Sequence, residues 1–411
     1  MMGLLFWLCV GLVVYTYAGY PLALALLARL RASFRRPEES AGARLRPRIA
    51  QPRPSVQPTV TLLISAYNEQ DVIARKLENS LALDYPRDRL QILVAADGSD
   101  DRTPEIVRLF AGRGVELSHS LPRRGKMAAI NRAMPLARGE IVVFSDANNM
   151  YQPDTLSELV APFADPQVGG ATGAKVIASD DGVLGDSEGL YWKYESFIKE
   201  QETRLGSCTG VTGEILALRR NLYEAPPDHI INDDFFIAMR LIQRGYRMVY
   251  APHAHSIERV SLSAQDEITR RARIVAGRYQ AIALAHRFLP FRQPLVTWQV
   301  VSHKFLRPLV PLAMIGALLA NFVAVAFPAS GHHLAWLRLA SPFNWVLLAG
   351  QTAFYMLAWI GSRVQRRSAL GRLLYLPTFL VNSNLAALIG LARFLRQRQT
   401  TLWQRVRRVE N

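Results

Sequence analysis

Cysteine is almost missing from this chain. Only Cys9 and Cys208 occur in 411 residues, Cys9 within an apolar run, so a disulfide framework is excluded and a reducing compartment fits. Two phosphate-binding loops are also lacking. Arg124-Gly125-Lys126 is followed by Met127, and position 120 is Ser where a Walker A loop needs Gly, which removes kinase and ATPase readings. No G-x-G-x-x-G follows the first predicted strand, so a dinucleotide site is unsupported. Internal repeats are absent. Charge is missing from whole segments: residues 1–28, 308–331 and 339–362 contain no Asp, Glu, Lys or Arg.

The uncharged segments set the organisation. Residues 1–30 are too long for the apolar core of a signal peptide and lack a basic start, so they read as an uncleaved transmembrane helix. The net charge of +16 comes from arginines beside such runs, as in Arg29, Arg31, Arg35 and Arg36 or Arg363, Arg366, Arg367 and Arg372. That placement follows the positive-inside rule and contact with membrane lipids, and argues against nucleic acid as a partner. Residues 31–58, rich in Arg and Pro, read as a juxtamembrane linker, 59–260 as a cytoplasmic domain, and 261–305 as amphipathic interface helices. Residues 306–395 form a C-terminal membrane region with spans near 308–331 and 339–362, followed by a basic tail, 396–411. Residues 373–392 are interrupted by Pro377, Asn382, Ser383 and Asn384, and a crossing there would put the basic tail outside. A re-entrant or interfacial segment is therefore expected. The whole is a multi-pass protein of the cell's inner (plasma) membrane.

Between the membrane segments, apolar runs alternate with amphipathic ones in the order of an α/β domain. Strands are predicted at 60–65, 91–96, 115–118, 141–144 and 247–250, with helices at 71–82, 103–111 and 126–137. Three strand ends carry polar clusters: Tyr67-Asn68-Glu69, Asp97-Gly98-Ser99-Asp100-Asp101 and Asp146-Ala147-Asn148. Ligands of open parallel sheets bind beyond such ends. Each cluster alone is ordinary turn and helix-cap chemistry; three in succession are less easily dismissed. Downstream lies Asn232-Asp233-Asp234. An acid and a second oxygen ligand at a strand tip suit a hard cation held against a diphosphate, and a later carboxylate suits a base that takes a hydroxyl proton. The simpler reading of Asn232–Asp234 is a helix N-cap. His253 and His255 follow the last predicted strand; His255 as a third metal ligand is weighed against a plain loop residue.

The ordered set S-A-Y-N-E (65–69), A-D-G-S-D-D (96–101), R-G-K-M-A-A-I-N (124–131), S-D-A-N (145–148), T-G-E (212–214) and N-D-D-F-F-I-A-M-R-L-I-Q-R-G-Y-R (232–247) resembles family 2 glycosyltransferases, within them the membrane-embedded cellulose, hyaluronan and poly-N-acetylglucosamine synthases. The likeness implies an α/β fold of GT-A type with a mostly parallel sheet flanked by transmembrane helices. It also implies a UDP-sugar donor, Mg²⁺ or Mn²⁺, and inversion at the anomeric carbon. By the same likeness Tyr67 and Glu69 border the uridine, Asp97 contacts base or ribose, and Lys126 lies near uracil or diphosphate. Asp146 and Asn148 take the D-x-D position that holds the metal, Asp234 the base with Asp233 beside it, and Thr212, Gly213 and Glu214 the acceptor region.

Two departures stand out. Ala96 replaces the first acid of the usual D-D-G-S. Arg270, Arg273 and Ile274 stand where processive relatives have the Gln, Arg and Trp of Q-x-x-R-W, so Arg273 keeps a diphosphate-facing cation while an aromatic platform for the acceptor sugar is lost. The expected acceptor is a growing saccharide, or a lipid-linked one reached by single-sugar transfer, with room for partner membrane subunits. A non-catalytic nucleotide-sugar or second-messenger sensor would have lost its acids, whereas Asp97, Asp146 and Asp234 are present.

Overall fold

The runs V-T-L-L-I-S-A, L-Q-I-L-V-A-A-D and I-V-V-F-S-D form three adjacent strands, β1 (Val60–Ala66), β2 (Leu90–Asp97) and β4 (Ile141–Asp146), buried along nearly their whole length. Strands covered on both faces need such continuous apolar runs rather than alternation. The computed structural model describes residues 1–34, 57–177, 182–227, 229–258, 264–328, 334–364 and 369–397. Most of the expected linker, the core of the basic loop near 363–372 and nearly all of the basic tail lie outside these residues. The chain divides into two units, one of Leu24–Leu262 with Ala285–Thr297 and Thr400–Asn411, the other of Met1–Ala23, Ser263–Leu284 and Trp298–Gln399. The segment expected as one amphipathic block, 261–305, is thus shared between them.

The first unit holds an eight-stranded sheet in the order β3-β2-β1-β4-β7-β6-β8-β5. The remaining strands are β3 (Val115–Ser120), β5 (Met150–Tyr151), β6 (Val168–Ile177), β7 (Leu216–Arg219) and β8 (Arg247–Glu258). Strands β3, β2, β1 and β4 run parallel; β7 is antiparallel to both β4 and β6, and β6 and β8 are parallel. Register brings the polar clusters level: Ser65 lies opposite Ala95 on one side and Asp146 on the other. Helix Ile73–Leu81 seals the core with Ile73, Leu77 and Leu81 against Leu62, Ile64 and Val94.

The structure extends several expected elements and adds others. Helix Gly182–Leu205 and strands β5, β6 and β7 had no predicted counterpart. Strand β8 runs twelve residues, so His253 and His255 lie within it and not after it. Its register jumps from Gly173 opposite Ala251 to Ala174 opposite His255. Pro252, which has no N–H to donate, falls in that irregularity, and such a bulge lets the strand continue past a proline. The predicted helix 126–137 ends as an α-helix at Ala133 and tightens into a 3₁₀ turn, Met134–Leu136, around Pro135.

The second unit is helical. Among the described residues, four helices are long and apolar enough to cross a membrane: Met2–Phe34, Pro294–Ala326, Phe343–Gly361 and Leu376–Leu395. Phe6 packs on a stripe of small residues, Ala317, Ala320 and Ala324, the kind of face that lets apolar helices approach closely. Leu319, Phe322, Trp345, Met356 and Trp359 point outward, exposed. Pro377 sits inside one continuous helix, Ala369–Leu395. Two of the residues expected to interrupt it are satisfied locally: Asn384 donates to the Leu380 carbonyl, and Ser383 accepts from Arg271. The stretch is therefore unbroken helix of spanning length.

Gly98 has φ near +63°, and a Cβ there would lie 2.4 Å from the Arg123 backbone nitrogen. Gly98→Ala is expected to cost about 1–3 kcal/mol by forcing strain onto the loop at the end of β2, read as a lowered thermal midpoint of the detergent-solubilised chain.

Candidate active site

Two of the three polar strand ends are stitched together before any ligand is considered. Asn68, held at φ 53°, donates from its side chain to Asp100 and accepts from the Asp100 N–H. Asp101 accepts from the Gln70 and Thr103 N–H groups, and the Glu69 N–H donates to Thr103 Oγ1 at 2.8 Å. Glu69 itself is buried. Asp97 is buried too, and its two carboxylate oxygens accept the Arg124 N–H at 2.9 Å and the Gly125 N–H at 2.8 Å. It thereby fixes the turn that begins helix Lys126–Ala133, and it draws Arg123 to 3.7 Å. The Arg123 guanidinium lies 3.6 Å over the Tyr67 ring, a stacked cation–π pair.

Lys126 then reaches across to β4, its ammonium 2.5 Å from Asp146 Oδ1. Burial works against the charge on Lys126, but the carboxylates of Asp146, Asp233 and Asp234 outweigh it and raise its pKa above the ordinary lysine value. That electrostatic coupling places four of the expected site residues around one charge centre. Asp233 and Asp234 open helix Asp233–Gln243, as the helix-start reading of these residues expects. Gly213 leaves space beside the second acid: a Cβ there would be 3.3 Å from Asp234 Cβ and 3.6 Å from Oδ2.

Asn148 supplies the test of metal fit. Its Oδ1 is buried and finds no hydrogen-bond partner among the described residues, two positions from Asp146. An amide oxygen left unpaired beside a carboxylate suits a hard cation, since such an oxygen is costly to bury without one. Among the described residues no three His, Cys, Asp or Glu side chains gather as a metal cage. Magnesium-like ions are commonly bound by one or two protein oxygens with substrate phosphates and water completing the shell, so the pair is sufficient on its side. His255 is committed elsewhere: its Nδ1 lies 2.7 Å from Gln152 Oε1, and burial lowers its pKa.

Thr212 and Glu214, on either side of Gly213, are each held by a lysine. Thr212 Oγ1 accepts from Lys199 at 2.8 Å, while the buried Glu214 carboxylate accepts from Lys175 at 3.2 Å and from Ser256. Lys175 also pairs with Glu258. Asn149 joins this interior to the D-A-N strand end, donating to Ser256 Oγ at 2.7 Å and to the Glu214 carbonyl at 3.0 Å. Below it lies Lys76, fully buried, donating to the Asn149 carbonyl at 2.7 Å with its ammonium 4.3 Å from the Tyr151 ring centre. None of Lys76, Asn149, Lys175 or Glu258 was expected from the sequence. Lys76 had a visible signal, since it stands in the core-facing stripe Ile73, Lys76, Leu77, Ser80, Leu81. Arg273 lies on helix Ala264–Ala283, in the helical unit rather than in the domain that holds these residues.

The sheet order is that of an α/β domain of GT-A type, with acids at its strand ends. Residues 58–277 match the family model described as glycosyltransferase like family 2. This chain belongs to that family. Over 204 residues it is 28% identical to the poly-β-1,6-N-acetyl-D-glucosamine synthase of Staphylococcus aureus (strain MSSA476), covering 47% of this chain and 48% of that one. Over 192 residues it is 28% identical to the β-monoglucosyldiacylglycerol synthase of Trichormus variabilis, covering 45% and 41%. The chain spans about half the length of the curated relatives it matches. In three dimensions it is similar to the mannosyltransferase PcManGT from Pyrobaculum calidifontis, solved with GDP-Man and Mn²⁺, with a TM-score of 0.68, 24% identity, and coverage of 96% of this chain and 100% of that one.

Burial is the main cause that lowers the pKa of Lys76, from 10.5 to about 7, against the pull of Asp146 and Glu214. The unfolded chain therefore binds more protons over that interval, and stability rises as pH climbs from about 7 toward 10.5. Lys76→Met is expected to flatten this rise, seen as a smaller gain in thermal midpoint between about pH 7 and about pH 9.

Proposed function

We propose that this chain is an inverting, divalent-cation-dependent transferase that moves a sugar from a UDP-sugar to a growing polysaccharide or membrane-associated acceptor, with Asp234 as general base. The observation that carries the reading is the meeting of Lys126, Asp146 and the Asp233–Asp234 pair about one charge centre, next to the unpaired Asn148 oxygen. Asp146 and Asn148 would hold Mg²⁺ or Mn²⁺, which when bound neutralises the growing charge of a diphosphate leaving group. Lys126 supplies a second positive charge at the same place. Tyr67 and Glu69 border the base, and Asp97 acts there chiefly by holding the 123–126 turn.

On the acceptor side, Asp234 takes the hydroxyl proton as the oxygen attacks the anomeric carbon, and the carbon–diphosphate bond breaks on the opposite face. One such displacement inverts the configuration. Gly213 keeps the approach to Asp234 clear of a side chain. Asp233 sits in the first helical turn beside it, where the helix dipole stabilises carboxylate charge. Four helices of spanning length among the described residues, with the arginine placement, support an inner-membrane protein with this domain in the cytoplasm, working alone or with partner membrane subunits.

A second reading, transfer of one sugar to a polyprenyl-phosphate or other lipid acceptor, is favoured by Ile274 at the position where processive relatives carry Trp, and by the likeness to a glycolipid synthase. Membranes containing the protein, given labelled UDP-sugars with Mg²⁺ or Mn²⁺, are expected to release UDP. Long product marks polymerisation, and a lipid-extractable product of one added sugar marks the second reading. No UDP release from any donor would overturn both.

Asp234→Asn is expected to lower transfer by at least 10²-fold while donor binding stays within about threefold, measured by UDP release and by equilibrium titration of the donor. Asn148→Ala is expected to raise the Mn²⁺ concentration needed for half-maximal rate, with donor-free stability unchanged.

A further inference from the structure

Helix Gly182–Leu205 buries charge as well as hydrocarbon along one face. Glu195, Lys199 and Glu202 are each at most 3% exposed. Their spacing of four and three residues puts them on one side of a helix, together with Trp192 one turn earlier. That face builds the loop 208–214. Glu202 accepts the Thr209 N–H at 2.7 Å and its hydroxyl, and Lys199 donates to Thr212 Oγ1 at 2.8 Å. From the sheet side, Thr172 Oγ1 accepts the Thr212 N–H at 3.2 Å, and Lys175 donates to Glu214 at 3.2 Å. The loop is held at successive points, and Gly213 at its tip packs on Asp234.

Trp192 stands over the two lysines that grip this loop. The Lys175 and Lys199 ammonium groups lie 5.3 and 5.7 Å from its ring centre, and Tyr191 meets it edge-on at 5.4 Å. Cation–π attraction from two buried ammonium groups fixes the indole plane. The ring is only half-buried, yet its Nε1 is shielded from solvent and has no hydrogen-bond partner among the described residues. A tryptophan placed for packing alone usually finds an acceptor for its N–H, because a buried unpaired donor costs free energy. A ring face with a waiting donor at its edge matches a sugar, whose C–H face is apolar and whose rim is hydroxyl.

We propose that Trp192 is the platform on which the acceptor saccharide stacks, its indole N–H donating to a sugar hydroxyl and the loop 208–214 aligning that sugar with Asp234. This rests on the transferase reading above and adds a specificity-determining residue to it. An acceptor recognised in this way is a saccharide end, not a bare lipid hydroxyl. The aromatic ring is pre-set by the lysines, so little order is lost on binding.

The test uses the full chain in detergent with Mn²⁺ and either UDP-N-acetylglucosamine or UDP-glucose. UDP release is measured without acceptor and against rising β-linked N-acetylglucosamine or glucose pentasaccharide. Trp192→Ala is expected to raise the half-saturating pentasaccharide about tenfold and Trp192→Phe much less, with acceptor-free release and half-saturating donor as in the wild type. An unchanged pentasaccharide dependence in Trp192→Ala would overturn the proposal. So would a proportional fall in acceptor-free release, which marks a prop for the loop. Wild-type UDP release that neither pentasaccharide stimulates overturns the saccharide platform but leaves the transferase standing. No release from either donor removes both.

Discussion

The contact between Lys126 and Asp146 is the constraint around which the catalytic domain is arranged. Three carboxylates, Asp146, Asp233 and Asp234, share one region, and like charges in partly buried surroundings repel strongly. A positive charge among them offsets that repulsion. The lysine supplies that charge from the opposite loop, and its own place depends on Asp97, which secures the turn before it through two backbone N–H groups. Asp97 thus acts at one remove: it sets where Lys126 begins, and Lys126 sets the electrostatics of the acids.

Beneath this surface layer lies a second polar layer that is closed to water. Lys76, Asn149, Ser256, Glu214, Lys175 and Glu258 connect β4, β6 and β8 through side-chain bonds. Breaking one member of such a set leaves its partner buried and unpaired, which is far more costly than removing the whole set for apolar residues. Position, more than net stabilisation, is what this layer provides. It ties the D-A-N strand end to the T-G-E loop, so the two halves of the site keep their spacing.

Much of this was readable from the residues, and the parts that were not have definite physical reasons. Strands β1, β2 and β4 are continuous apolar runs ending in polar clusters, and their level register follows from those lengths. Strand β6, V-G-G-A-T-G-A-K-V-I, reads as loop because of its glycines. They are there because Tyr246, Met248 and Ile215 press onto the positions where Cβ atoms would stand. Helix Gly182–Leu205 escaped notice for the opposite reason: its buried face holds Glu195, Lys199 and Glu202, so no apolar stripe marks it. Lys126 stands in a motif and Lys76 in a core-facing helical stripe, whereas Lys175 and Lys199 carry no such mark, since their partners lie far along the chain.

The enclosed ion pairs of Lys175 also bear on how the protein tolerates its surroundings. Mobile counterions weaken exposed pairs such as Arg113 with Glu78, but they do not enter the space between Lys175, Glu214 and Glu258. A protein working against lipid headgroups meets an ionic atmosphere that varies with lipid composition and with the medium. The spacing beside Asp234 is insulated from those swings.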